Sequence, residues 1–180
     1  RLRDGKFEAL STFRLACDML DTHPGLYFSH NEMFLYEWVE RADPALFERI
    51  RGHVASGRWE VLGGWYIQPD VLMPSTEAMV RQSVVGLNYF ERVFGVRPTV
   101  ANCFDSFGHG AGLPQILKLS GHLMYLHARP GLDVPVPRGL YRWRGVDGTE
   151  IMAVNQVAGH YGTPPTAEGC RERVMLSMDW

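Results

Sequence analysis

The sequence predicts an α/β fold on three observations: apolar stripes at helical spacing, short apolar or aromatic runs between them that read as strands, and glycines where each helix stops. Of the 180 residues, 46% are hydrophobic and 21% charged, enough apolar material for a core. A formal net charge of -2 offers no basic field to phosphate backbones or an anionic membrane, which argues against nucleic acid as a partner. No apolar stretch approaches the ~20 residues needed to cross a bilayer, so no membrane span is expected. Cys17, Cys103 and Cys170 are odd in number, far apart and without C-x-x-C spacing. This usage suits a reducing, cytoplasmic setting. The chain opens on Arg1 rather than an initiator Met and stops on Trp180, so both ends read as cut and one partial domain is expected.

In order along the chain, Leu10, Phe13, Cys17 and Leu20 recur at three- and four-residue steps and predict a helix over 6–23, ended by Pro24-Gly25. Residues 26–29 form a short aromatic strand candidate, followed by His30-Asn31-Glu32. A second helix starts with Asp43 as N-cap and Pro44 in its first turn, turns Leu46, Phe47, Ile50 and Val54 inward, and stops at Gly57. Residues 58–65 read as a strand, and a loop through Gln68-Pro69-Asp70 leads to Ser75, the cap of a third helix. That helix is expected to bury Val80, Val84, Leu87, Phe90 and Phe94 and to end at Gly95. Strands follow at 99–104 and 123–126, separated by a short helix over 114–120 that Gly121 stops. Residues 140–143 and 151–154 flank a Val146-Asp147-Gly148-Thr149 turn and predict a hairpin, while 130–137 is an extended excursion rich in Pro.

Strands that alternate with helices imply parallel pairing, with the loops after the strands gathered on one ligand-binding face. His30, Trp65, Asp70, Asp105, His127, Arg129 and Tyr161 are therefore expected as neighbours there. Asp105 is the strongest chemical candidate, because it follows the apolar run 100–104 and has glycines beside it that permit tight turns. A carboxylate so placed can ligate a metal, act as a general base or attack a sugar, and it can equally cap a helix or stabilise its own turn. His30, two residues from Glu32, raises a metal reading, against which stands a histidine that is merely hydrogen-bonded.

Asp105-Ser106-Phe107-Gly108-His109 resembles the D-x-F-G-H signature of glycoside hydrolase family 38, the α-mannosidases. Gly57-Arg58-Trp59-Glu60, Gly63-Gly64-Trp65, Met73-Pro74-Ser75-x-Glu77, Phe94-Gly95-Val96-Arg97-Pro98, Leu113-Pro114-Gln115-Ile116-Leu117 and Trp143-x-Gly145-x-Asp147-Gly148 are similar to that family in order and spacing. The resemblance implies a partial parallel β/α barrel, one zinc ion, and hydrolysis of α-mannosides with retention. It implies that Asp105 is both nucleophile and zinc ligand, that Phe107 lines the sugar subsite and that Arg129 is a substrate-site arginine. His109 would hydrogen-bond around the site rather than ligate metal. Tyr161 and Asp70 are further candidate sugar contacts, with a turn-stabilising role the competing reading for Asp70. The family's H-x-D zinc motif would precede this segment and another histidine ligand would follow it, so the chain alone is expected to be inactive. The expected partner is an α-mannoside or mannose-containing oligosaccharide, with self-association left open. The alternatives are a zinc-dependent carbohydrate deacetylase-like hydrolase and a non-catalytic carbohydrate-binding relative.

Overall fold

A computed structural model of the chain describes residues 2–129, 137, 139–155 and 166–178. They form two compact units, Arg1–Gln68 with Arg81–Pro98, and Pro69–Val80 with Thr99–Trp180.

The first unit holds α1 (Leu2–Thr22), β1 (Phe28–His30), α2 (Met33–Ala42), α3 (Pro44–Ala55), β2 (Trp59–Val61) and most of α4 (Thr76–Phe94). β1 and β2 pair in parallel, with Phe28 opposite Trp59 and His30 opposite Val61. Phe13, Cys17 and Leu20 on α1 are buried as their spacing requires, packed with Tyr36, Ile50, Trp59 and Phe90 in one apolar cluster. Each such side chain contributes about 1.5–3 kcal/mol by leaving water. Tyr36 is fully buried, and its hydroxyl accepts from Trp59 Nε1 at 2.8 Å and donates to His30 O at 3.1 Å, so the largest rings are also satisfied. α3 starts as expected: Asp43 Oδ1 accepts from Leu46 N at 3.0 Å, Pro44 follows, and Gly57 lies beyond the helix end with φ of 73°.

Two features of this unit depart from the sequence expectations. A separate helix, α2, fills 33–42, where none was expected. Its N-cap Glu32 makes no side-chain cap and sits in the left-handed region at φ 58°, which no other non-glycine among the described residues adopts. The helix's first N–H groups are met instead from far along the chain, Met33 N by Trp65 O at 3.0 Å and Phe34 N by Tyr66 O at 2.8 Å. The second departure is the buried face of α4. Leu87 and Phe90 are inside as expected, but Val80 and Val84 are exposed, and Ser83 and Gly86 take inward positions. Gly86 is inward because the backbone of Gly64 and Trp65 passes directly against it.

The second unit holds β3 (Val100–Cys103), α5 (Leu113–Leu119), β4 (Met124–His127), β5 (Gly139–Arg144), β6 (Glu150–Asn155) and α6 (Ala167–Met178), a helix not among the sequence expectations. Its strand order is β3-β4-β6-β5, parallel at β3–β4 and β4–β6 and antiparallel at β6–β5. The hairpin has the expected turn: Asp147 accepts from Thr149 N and Thr149 Oγ1, and Gly148 supplies a φ of 85°. The α/β class and the parallel pairing are thus present, in sheets of two and four strands.

Candidate active site

The register of β3 and β4 brings the principal candidates together. Cys103, the last residue of β3, lies opposite His127, the last of β4. Asp105 and Arg129 each follow two residues later, and their side chains meet, Arg129 Nε donating to Asp105 Oδ1 at 2.8 Å. The Asp105 side chain is 51% exposed and that of Arg129 26%, so a ligand can reach the carboxylate while the guanidinium is partly sheltered. The guanidinium also lies over Phe107, with Cζ 4.3 Å from the ring centroid, within cation–π range. Phe107 is 76% exposed, which rules out core packing and leaves an aromatic face in solvent beside the ion pair.

Residues flanking Asp105 fix its position. Ser106 Oγ and Cys103 Sγ both donate to Pro69 O at 3.0 Å, one from each side of the carboxylate-bearing turn. A Cβ on Gly110 would stand 3.1 Å from Val71 O, so the following loop lies close against the 70–73 segment. Asp70 belongs to that segment, and the structure gives it the turn role: its Oδ1 accepts from Leu72 N at 2.8 Å and Met73 N at 3.1 Å. Those two donors hold the Asp70 carboxyl below the usual carboxylate range.

Behind Arg129 lies a network of polar rings. His109 Nε2 contacts Arg129 O at 2.6 Å, and His127 Nδ1 contacts the same oxygen at 2.7 Å. The remaining ring nitrogens are also engaged, His109 Nδ1 with Tyr125 Oη at 2.9 Å and His127 Nε2 with Tyr141 Oη at 2.7 Å. Burial lowers the pKa of both histidines, favouring neutral imidazoles. Tyr125 and Tyr141 were not singled out from the sequence. The legible signal was the alternation Tyr125-x-His127-x-Arg129, which places three polar side chains on one side of β4 and its extension.

His30 and Trp65 belong to the first unit. His30 is packed edge-on against Phe13 with centroids 4.7 Å apart, and its Nδ1 is hydrogen-bonded to Asn31 O. Burial pushes its pKa down to about 4, as for a neutral histidine of the interior. Trp65 is fully buried. Tyr161 lies outside the described residues. A pocket of about 180 Å³ lined by Leu72, Pro74, Met79, Leu113 and Ile116 does not include Asp105.

The donor set also bears on metal. Among the described residues no three His, Cys, Asp or Glu side chains come together to hold an ion. A zinc site needs at least three protein ligands, and both nearby histidines already spend their ring nitrogens on hydrogen bonds. The described residues therefore do not form a zinc site by themselves, although Asp105 could supply one oxygen.

An α/β scaffold that presents a carboxylate from the carboxyl end of a parallel strand, with an arginine and an exposed ring beside it, defines a class of polar-ligand sites. Residues 3–179 match the Glycosyl hydrolases family 38 N-terminal domain, and the chain belongs to that family. It is 29% identical over 135 residues to Alpha-mannosidase G of Dictyostelium discoideum, a match covering 74% of this chain and 12% of the relative. To Alpha-mannosidase 2C1 of Homo sapiens it is 28% identical over 166 residues, covering 91% of this chain and 16% of the relative. The chain thus spans less than a fifth of the length of these curated relatives. Its fold is similar to that of an alpha-mannosidase from Enterococcus faecalis V583, with a TM-score of 0.81 at 18% identity over 98% of this chain and 21% of the other.

Proposed function

We propose that the protein to which this chain belongs is a retaining α-mannosidase in which Asp105 is the nucleophile. The observation that carries this reading is the half-exposed Asp105 carboxylate, two residues past the end of β3 and paired with Arg129, within the D-S-F-G-H segment of a family 38 domain. In the first displacement an Asp105 oxygen bonds to the anomeric carbon as the glycosidic C–O bond breaks, and the departing oxygen takes a proton from a second carboxyl group. In the second, water attacks the anomeric carbon, gives a proton to that same group and frees Asp105. Two inversions restore the starting configuration. Arg129 orients the attacking carboxylate through Oδ1, and Phe107 offers an apolar face for the pyranose ring.

Asp105 also serves, in this reading, as one ligand of a single zinc ion whose other ligands come from sequence outside the chain. Such an ion would gather the carboxylate and sugar hydroxyls as a Lewis acid. The chain is read as part of a barrel-like catalytic domain, and the odd number of cysteines, Cys17, Cys103 and Cys170, without C-x-x-C spacing, supports a cytoplasmic setting.

In the full-length protein, Asp105→Ala is expected to abolish hydrolysis of α-mannosides, and a chelator is expected to abolish it in the wild type. A slow fluorinated mannoside should leave a covalent sugar on Asp105. Retained turnover in the variant would remove Asp105 as nucleophile. Zinc-dependent release of acetate without a glycosyl adduct would instead identify a deacetylase, and mannoside binding without turnover a non-catalytic relative.

A further inference from the structure

The Arg129 carbonyl receives two imidazoles at once, which is a more elaborate device than a surface loop requires. A carbonyl oxygen only accepts, so each contacting ring nitrogen must carry its proton. His109 is therefore the Nε2–H tautomer, and its Nδ1 accepts from the Tyr125 hydroxyl. His127 is the opposite, Nδ1–H, with Nε2 accepting from the Tyr141 hydroxyl. The two rings are 4.7 Å apart, too close for both to be cationic without mutual repulsion. His127 and Tyr125 are 2% exposed or less, so each is held by packing as well as by its hydrogen bonds. The two lone pairs of the Arg129 oxygen are thereby filled from two directions, one donor coming from β4 itself and the other from the loop that carries Asp105.

We propose that His109 and His127 are positioning residues, a pair of neutral imidazoles of opposite tautomer that clamp the Arg129 carbonyl and so aim its guanidinium at Asp105. This rests on the reading of Asp105 as nucleophile. An arginine side chain carries about 2 kcal/mol of rotamer entropy, and fixing its backbone leaves less to be lost when Nε meets the carboxylate. The Phe107 ring, 4.3 Å from Arg129 Cζ, also packs against the guanidinium. The same clamp ties the D-S-F-G-H loop to the end of β4, so Asp105 and Arg129 move as one unit rather than as two independent loop tips.

The tautomers make the proposal testable in the full-length protein by amide replacement, since a glutamine nitrogen reaches where imidazole Nε2 does and an asparagine nitrogen where Nδ1 does. His109→Gln and His127→Asn keep the donor in place and are expected to retain kcat to within about threefold. His109→Asn, His127→Gln and either histidine changed to Phe misplace or remove the donor, and kcat for an α-mannoside is expected to fall about 10- to 100-fold with unfolding temperature unchanged in the amide variants. On an Arg129→Ala background the same changes should produce no further loss. Equal losses in matched and mismatched amides, or a full additional loss without Arg129, would overturn the clamp. A crystal structure of the full-length mismatched variants decides the matter without activity: the Arg129 Nε to Asp105 Oδ1 contact is expected to open beyond hydrogen-bond reach, and its persistence would also overturn the clamp. Should the wild type hydrolyse no α-mannoside, the enzymatic reading fails and the crystallographic arm still decides the clamp.

Discussion

Gly86 sits in the interior of α4, where glycine ordinarily makes a helix less stable than alanine by about 1 kcal/mol. Here that preference is outweighed. A Cβ at Gly86 would stand 2.3 Å from Gly64 O and 2.6 Å from the Trp65 carbonyl carbon, both backbone atoms that cannot rotate away. Nor can the segment shift freely, because Trp65 O and Tyr66 O hold the first N–H groups of α2, and Tyr66 N donates to Gln82 O. Gly86→Ala is therefore expected to destabilise the protein by about 2–3 kcal/mol rather than to stabilise it. Denaturation midpoints of variant and parent give the sign directly, and a raised midpoint would contradict the close approach. The site residues divide on a similar principle. Asp105 and Arg129 could be picked out because each is a charged residue just after an apolar run. Tyr125 could be reached only through its alternation with His127 and Arg129, and Tyr141 not at all, because nothing in its own sequence position announces which histidine it will meet.

Elements were legible where their start and stop signals are local. α3 is bounded by Asp43-Pro44 at one end and Gly57 at the other, and the structure follows those signals to the residue at its start. The Asp43 carboxylate accepts from Leu46 N and from Arg14 Nη2 at 2.8 Å, so it both caps α3 and ties it to α1. Asp43→Ala is expected to remove about 1 kcal/mol of stability, whereas Asp43→Asn, which keeps a capping oxygen, should lose only part of that. Equal losses for the two, measured by denaturant midpoint, would mean that the exposed Arg14 pair rather than the cap matters. α2 shows the opposite situation. Its first N–H groups are met by carbonyls more than thirty residues away, so no local cap marked it, although Met33, Tyr36 and Val39 recur at three-residue steps along its buried face. The face of α4 was misassigned for a related reason: Val80 and Val84 fit the apolar period, yet close packing against the 64–65 backbone selected Ser83 and Gly86 for the inward side.

At the scale of the molecule, the question is how much of the proposed chemistry this chain can perform unaided. It spans 12% and 16% of two curated relatives, and it carries the carboxylate, its arginine and the supporting rings in one unit. What it does not bring together, among the described residues, is a group of three metal-binding side chains. The histidines closest to the site do not make up the deficit, because taking a ring nitrogen of His109 or His127 for zinc would break either the Arg129 clamp or a tyrosine hydrogen bond to a buried ring. A single carboxylate that already pairs with Arg129 is a weak ligand for a cation, since the guanidinium offsets the charge that would attract it. The 180-residue chain is accordingly expected to retain far less than one equivalent of zinc after dialysis and to show no zinc-dependent turnover of an α-mannoside, whereas the proposed function expects the full-length protein to hold zinc and to turn the mannoside over. Metal analysis and the same assay, run side by side with and without chelator, check this. Stoichiometric zinc with turnover in the short chain would mean that residues outside the described set complete the site, and that Asp105 has its metal partners within this sequence.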